Sequence, residues 1–353
     1  MSTMEQQPFD PDGVGVANGA YFGLPFAPEE AALVLVSAPW DVTVSYGAGT
    51  VYAPDAIIEA STQLDFHDPL APGLWRRGIA TAEIDYALQE LSQQLRRDAR
   101  RVIEHLENGG SVSDELIVRK LRRVNEGCAV LNANVEAQVG RWLEAGRKVG
   151  LVGGDHSTSY GAIRACARRH EAFGVLHIDA HRDLREAYEG FEFSHASVMY
   201  NVLRDVPQVT RLVQVGVRDY SAREAQAAAA SSRIVSFGDC ALAEAAFGGE
   251  PWEAQCRRIV EALPHEVYIS FDIDGLSPDN CPHTGTPVPG GLGFNQAVWL
   301  LRTLAQSGRR IIGFDLVEVC PAANDRIDAI VGARMLWKLC SATLLAAENE
   351  QNE

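Results

Sequence analysis

Positive charge is scarce in this chain. Its 353 residues carry 31 lysines and arginines against 47 aspartates and glutamates, a formal net charge of −16. That balance argues against a nucleic-acid partner, whose phosphates demand a basic footprint. Long apolar runs are also missing: no stretch of 18 apolar residues occurs, which argues against a membrane span. Residues 1–11 have neither the basic start nor the apolar stretch of a secretory signal. There is no C-x-x-C pair. The seven cysteines (Cys128, Cys166, Cys240, Cys256, Cys281, Cys320 and Cys340) are odd in number and dispersed. Such a set fits reduced thiols in the cytoplasm better than a disulfide frame. The glycine-rich loop at 40–50 is not G-x-G-x-x-G and lacks a Walker lysine, so phosphate binding is a weak reading. Its place after a strand makes it a candidate wall of a site.

What the chain does have is apolar content, 46%, enough for a sizeable core. Short, continuous apolar runs at 32–37, 149–152, 173–178, 212–217, 234–237, 266–271 and 310–317 read as strands buried on both faces. Helical stretches separate them. Pro54 opens one over 55–61. The block 86–146 is helical, with Leu88, Leu91, Leu95, Val102, Ile103 and Leu106 near a 3.6 period. Asn108-Gly109-Gly110 ends its first helix, 113 to about 123 starts the next, and 134–145 closes the block. Further helices are expected at 160–170 and 327–346. In these stretches Trp299 and Trp337 read as core residues. Strands alternating with helices predict an α/β fold of three αβα layers around a mainly parallel sheet. Residues 1–30 read as an N-terminal arm, 31–347 as one catalytic domain, and 348–353 as a C-terminal tail.

The polar residues of interest fall where strands end, the edge at which such sheets bind ligands. His177-Ile178-Asp179-Ala180-His181-Arg182-Asp183 follows one strand. Asp179, His181 and Asp183 alternate, so on an extended segment they share a face. His156 follows a second strand, Asp272 and Asp274 a third, and Glu318 a fourth. Each piece alone has a bland alternative: a solvated polar loop, a hydrogen-bonded core histidine, an ordinary strand-end turn. Together the acids would repel one another, and no lysine or arginine is spaced to pair with each. Divalent cations are the simplest compensation. Asp179, Asp183, Asp272 and Asp274 bring four negative charges, which two divalent ions balance, with His156 and His181 as neutral ligands. Oxygen-rich ligation without cysteine favours Mn²⁺ or a similar ion over a structural zinc.

Gly153-Gly154-Asp155-His156-Ser157, Asp179-Ala180-His181-Arg182-Asp183 and Ser270-Phe271-Asp272-Ile273-Asp274-Gly275-Leu276 resemble the three signature blocks of the ureohydrolase family of arginases and agmatinases. The segment Thr284-Gly285-Thr286-Pro287, continuing to Leu292, matches as well, and the resemblance spans about residues 32–345. It implies an arginase-like fold and a dinuclear centre. His156 and Asp183 would serve one ion, His181 and Asp274 the other, and Asp179 and Asp272 would bridge both. Asp183 would also orient a bridging hydroxide. Glu318 would hold a guanidinium, and His195, in Phe193-Ser194-His195-Ala196-Ser197, would line the pocket and shuttle protons. The expected ions are two Mn²⁺, with Ni²⁺ as the alternative. The expected reaction is release of urea from a small cationic guanidino compound in the cytoplasm. The resemblance further implies a homo-oligomer, a trimer or hexamer, with the N-terminal arm as a candidate contact.

Substrate choice belongs to the loops. Residues 184–193 lack the Asn/Ser-rich loop by which arginases hold an α-amino acid, which favours agmatine-type substrates. Glu186, Glu189 or Glu192 are candidates for the distal amine, and Arg185 for a substrate carboxylate. The Ser194-His195-Ala196-Ser197 form and the long 40–50 and 86–146 segments resemble a divergent branch that includes hydrolases of free guanidine. His283 is a candidate pocket wall. Free guanidine, a guanidino acid and formimidoylglutamate remain alternative substrates. A mononuclear zinc deacylase on the related fold is the alternative of another class.

Overall fold

The computed structural model describes residues 9–69 and 71–352, with side chains through residue 347. Eight strands form one sheet: β1 (Leu33–Ala38), β2 (Ile79–Thr81), β3 (Lys148–Gly153), β4 (Phe173–Ile178), β5 (Val209–Val215), β6 (Ile234–Phe237), β7 (Glu266–Asp272) and β8 (Arg310–Val317). Their order is β2-β1-β3-β8-β7-β4-β5-β6, and every pairing is parallel. The expected sheet was mainly parallel; among the described residues it is wholly so. Ten helices connect and cover it: α1 (Ala53–Ser61), α2 (Tyr86–Glu107), α3 (Glu115–Glu144), α4 (Ser159–Ala167), α5 (Val198–Asp205), α6 (Ala222–Ala230), α7 (Asp239–Phe247), α8 (Trp252–Glu261), α9 (Phe294–Ala305) and α10 (Ile327–Asn352).

The strand runs are continuously apolar because both faces are covered. In β1, Leu33 and Leu35 join one core with α1, α8, α9 and α10, while Val34 and Val36 join another with α2, α3, α4 and α5. Alternation along the strand thus feeds two cores and makes three layers. Each such side chain, fully buried, contributes about 1.5–3 kcal/mol of transfer free energy. Helix α10 is long and apolar enough over Ile327–Ala347 to pass as a membrane span by length and composition. Most of that stretch, 78%, is buried inside the protein, as in a core helix.

Several sequence expectations need correction. Strand β2 has only three residues and gives no periodic signal. Strand β5 starts at Val209, earlier than the apolar run at 212. Helix α3 is one continuous helix of 30 residues, where the sequence suggested segments at 113–123 and 134–145. The interruption around Gly127 is a packing device: a Cβ there would lie 2.1 Å from Leu95 Cδ1 of α2, so glycine lets the two helices approach. Trp299 is not core. It is 41% exposed, off the buried stripe of Ala297, Leu300, Leu301 and Leu304, with the Arg302 guanidinium 5.2 Å above its ring. Trp337 is buried, edge-on to Phe22 at 5.0 Å. That contact involves the stretch read as an arm: Tyr21, Phe22 and Leu24 are buried, and the Tyr21 hydroxyl pairs with Ser37 Oγ at 2.8 Å. Residues 1–8 of that stretch lie outside the described residues. Helix α10 runs through most of the stretch assigned to a tail at 348–353; residue 353 is outside the described set.

The ends of β1, β3 and β8 meet at Gly154. The Asp155 N–H donates to the Trp40 carbonyl (2.8 Å) and the Glu318 N–H to the Gly154 carbonyl (2.8 Å). A Cβ on Gly154 would sit 1.9 Å from Trp40 O. Gly154→Ala is therefore expected to destabilise by about 3 kcal/mol or more in chemical denaturation. Gly140→Ala in α3, where a Cβ meets nothing within 4 Å, should stabilise by about 0.5–1 kcal/mol.

Candidate metal centre

Strands β3, β8, β7 and β4 are neighbours in the middle of the sheet. The residues after their carboxyl ends are therefore brought together although they span 162 positions, from His156 to Glu318. The local geometry repeats. Asp179 Oδ1 accepts the His181 N–H, and Asp272 Oδ1 accepts the Asp274 N–H at 2.8 Å, so each strand-end aspartate caps the turn that follows it. Asp274 Oδ1 accepts the Ala180 N–H (3.0 Å), which ties the two turns to each other. One oxygen of each carboxylate is fixed by backbone, and Oδ2 is left to face inward.

Two of those oxygens, of Asp179 and Asp272, converge with Asp183 Oδ2 on one nitrogen. His156 Nδ1 lies 3.1 Å from Asp179 Oδ2, 3.0 Å from Asp183 Oδ2 and 3.2 Å from Asp272 Oδ2, yet makes no properly directed hydrogen bond to any of them. The other side of the ring explains why. His156 Nε2 lies 2.9 Å from Ser270 Oγ, which donates its own proton to Asp315 Oδ1 at 3.0 Å. In the neutral imidazole Ser270 then accepts from His156 Nε2–H, which leaves the Nδ1 lone pair for a metal ion or, without one, for a proton. Four lone pairs facing one point repel unless a cation stands among them. A second group lies beside the first: His181 Nδ1 is 3.0 Å from Asp274 Oδ2 and 3.5 Å from Asp179 Oδ1. Asp179 belongs to both. Five of these side chains, His156, Asp179, Asp183, His181 and Asp274, fall into groups that could hold metal ions by donor type and convergence, and Asp272 adjoins them through His156.

His177 lies close enough to count as a seventh candidate ligand. Its bonds exclude it. Nδ1 accepts from the Gln214 amide (3.1 Å), so Nε2 carries the proton and donates to Asp179 Oδ2 at 2.7 Å. Gln214 is oriented by Arg182, whose Nη1 donates to its Oε1 (2.8 Å). His177 thus orients a ligand from behind.

The electrostatics agree that this cluster is short of positive charge. Burial, then Asp274 and Asp179, hold the Asp272 carboxyl well above its usual range. Burial works to lower both imidazoles, but it is outweighed. Asp179, Asp183 and Asp272 raise His156, and Asp274 and Asp179 push His181 up to about 12. No lysine or arginine lines the cavity floor; the Arg182 guanidinium turns away to Gln214, Ser236 and the Tyr220 ring.

The centre opens into a cavity of about 180 Å³. Glu318 lines it together with His156, His181, Asp183, Asp272 and Asp274. Its Oε1 accepts the His156 N–H at 2.8 Å, its carbonyl accepts from Thr284 Oγ1, and burial, then Asp155, pushes its carboxyl up. His195 forms another wall. Its Nδ1 lies 3.3 Å from Ser194 Oγ and 3.5 Å from Thr43 Oγ1, and burial, then His181, His156 and Arg96, lowers it to about 3, so it is neutral at pH 7. Asp183 and Glu318 both adopt positive φ, 53° and 62°, which is strained for non-glycine residues and is concentrated at functional sites.

The mouth differs from expectation. Glu186, Glu189 and Glu192 do not line the cavity; Asp219 and Glu224 do, with Tyr188 and Tyr220. Glu189 occupies a tight turn, at φ 54°, between Tyr188 and Phe191. Arg185 does line the cavity, but its Nε is 3.7 Å from Glu224 Oε2 and its guanidinium stacks on Tyr188. His283 is not a wall: it pairs with Asp328 at the start of α10 at 2.6 Å. The loop at 40–50 supplies Ser45 and Thr43, as its position suggested. Ser270, Asp315, His177 and Gln214 went unassigned in the sequence. Their signal was a polar residue inside an otherwise apolar strand.

Over residues 31–341 the chain matches the model of the arginase family. It is 32% identical to N(1)-aminopropylagmatine ureohydrolase of Thermus thermophilus, over 85% of this chain and 87% of that one. It is 28% identical to agmatinase of Neisseria meningitidis serogroup A, over 91% and 92%. Its fold is similar to that of the agmatine ureohydrolase of Thermoplasma volcanium, with a TM-score of 0.68 at 22% identity, covering 92% of this chain and 94% of that one.

If the cluster holds cations in the folded state only, metal must stabilise the fold. Adding Mn²⁺ at 100 times its dissociation constant to chelator-treated protein should add about 2.7 kcal/mol of stability, read as a rise in Tm. Mg²⁺-free buffer with excess chelator is the reference. Ser270→Ala, which strands His156 Nε2–H and Asp315 Oδ1, should cost about 1–3 kcal/mol in the same assay.

Proposed function

The chain belongs to the arginase family, whose members are hydrolases of guanidino C–N bonds, and on that premise we propose that it releases urea from an agmatine-type substrate. The observation that carries the reading is that Glu318 and the His/Asp cluster share one small cavity. A guanidinium is planar and cationic, and a carboxylate matches its N–H fork. Glu318 has Oε1 engaged by the His156 N–H, which leaves Oε2 for the substrate and fixes the direction of approach. The guanidinium carbon is then held toward the cluster.

His156, Asp179, His181, Asp183, Asp272 and Asp274 would hold two divalent ions; Mn²⁺ suits the oxygen-rich set, with Ni²⁺ as the alternative. When bound, the ions supply a water ionised near neutral pH and offset the charge of the acids. The remaining work falls to the protein. Attack on the guanidinium carbon makes it tetrahedral, and collapse requires a proton on the departing nitrogen. Asp183 would lie beside the attacking water, and its carboxylate would take a proton from that water and deliver it to the departing nitrogen. His195, neutral and held at Nδ1 by two hydroxyls, presents Nε2 to the cavity and exchanges a second proton with solvent. The products are urea and an amine.

A distal amine suits the mouth better than a carboxylate does. The Arg185 charge is offset by Glu224 and covered by Tyr188, while Asp219 is exposed and lines the opening. The relatives named for agmatine and aminopropylagmatine support the same choice. The cavity, smaller than a drug-sized pocket, suits a small linear substrate. The seven unpaired thiols fit a reducing compartment, and we place the enzyme in the cytoplasm.

The test is urea release from agmatine, aminopropylagmatine, arginine, 4-guanidinobutyrate and guanidine, with Mn²⁺ and Ni²⁺ compared. Agmatine or its aminopropyl derivative should give the highest kcat/KM; no urea from any of the five would refute the proposal. Glu318→Gln should keep two metals per chain and lose about 10²-fold or more in kcat/KM. Asp272→Ala should instead lower the metal content itself.

A further inference from the structure

Helix α2 lines no part of the cavity, but it grips the loop after β1 that does. Its apolar face, Leu88, Leu95, Ala99, Val102 and Ile103, is buried in the core that it shares with α3. Ser92 and Arg96, one turn apart, leave that face for the loop after β1. Ser92 Oγ accepts the Asp41 N–H (3.1 Å) and donates to Asp41 Oδ1 (3.4 Å). The other Asp41 oxygen accepts the Gly49 N–H (2.9 Å), which closes the loop on itself. Arg96 Nη1 donates to the carbonyls of Val42 (3.1 Å) and Val44 (2.5 Å). Those two carbonyls flank Thr43.

Thr43 is fully buried and is the contact through which this loop meets His195. Its Oγ1 accepts the His195 N–H at 3.2 Å and lies 3.5 Å from His195 Nδ1. Arg96 is half-buried, its Nη1 is spent on two neutral carbonyls, and its Nε is buried without a partner. An unsatisfied buried donor is unfavourable for stability alone. Arg96 is retained in a costly place where it fixes one peptide unit on each side of Thr43.

We propose that Ser92 and Arg96 are positioning residues for the reaction: helix α2 holds Thr43, and Thr43 holds the His195 imidazole at the angle its proton exchange needs. This rests on the reading of His195 as the proton relay. It also gives the long helical segment a task in the site, since α3 packs against α2 and supports it from behind.

The experiment uses the metal-loaded full chain with Arg96→Met, which keeps the stem and removes the fork, and with Arg96→Lys and Ser92→Ala. Amide hydrogen exchange across residues 41–50 should accelerate about tenfold or more in Arg96→Met, with the central strands unchanged. The ¹⁵N signals of the His195 ring should shift or broaden, while metal content stays at the wild-type value. kcat should fall about tenfold with KM changed less than twofold, because the guanidinium holder is untouched. Arg96→Lys should recover part of both effects, since one ammonium can serve one of the two carbonyls. In a His195→Ala background, Arg96→Met should cause no further loss of kcat.

Unchanged exchange in the loop, or losses that multiply in the double variant, would overturn the proposal. If His195→Ala itself keeps full turnover, the relay reading fails, and the exchange and ring-signal data still decide whether α2 positions the imidazole. Should Arg96→Met not fold, the same measurements on Arg96→Lys and Ser92→Ala decide it: each must loosen the loop and disturb the ring signals, and a rigid loop in both would refute the assignment.

Discussion

One ring nitrogen sets the terms for the centre of this protein. His156 Nδ1 faces three carboxylate oxygens at 3.0–3.2 Å with its proton held on the opposite nitrogen by Ser270 and Asp315. Among the described residues no lysine or arginine reaches that point, so the acids are offset by a cation from outside the chain or, without one, by protons on the imidazoles. Much else follows from that arrangement. The backbone ties of Asp179, Asp272 and Asp274 fix one oxygen of each and so set where the other points. His177 and Gln214 fix the rear of Asp179. The central order β3-β8-β7-β4 brings the ligands to one edge. A sheet that buries both faces has only its rims for chemistry, and the carboxyl rim is where side chains from successive strands can meet.

The fold was largely legible in the sequence because strands buried on both faces announce themselves as continuous apolar runs. The exceptions are physical. Strand β2 is too short to show a pattern, and the residues between 123 and 134, read as a gap, hold Gly127, where α3 approaches Leu95 of α2. Trp299 belongs to a type that is usually buried, but position on the helix decides, and its position faces out. The cluster itself was legible for a different reason. Acids at alternate positions just past an apolar strand have few bland explanations once three strands share the feature.

The surroundings of the cluster were not legible, since they depend on pairings across the sheet. Ser270 matters because it neighbours Asp315 on the next strand, and the register Ser270–Asp315 is a property of the paired β7 and β8. Glu224 reaches the mouth from α6, whose first turn it caps from within. Glu186, Glu189 and Glu192 are nearer in sequence to Asp183 but are turned aside by the tight turn at Glu189-Gly190. Sequence proximity to a ligand therefore says little about which residues meet a substrate. The neighbouring strand says more.

The strand order also has a bearing on how the molecule comes into being. Strand β8, the last to leave the ribosome, lies between β3 and β7. Without it, the sheet would divide into two pieces, β2-β1-β3 and β7-β4-β5-β6. His156 belongs to the first piece and the four aspartates to the second, so neither nascent piece contains the whole centre. Parallel pairings of such long range form slowly. Capture of the ions is thus expected to be a late event in biogenesis, after synthesis is nearly complete, and the final strand serves as the keystone that makes capture possible.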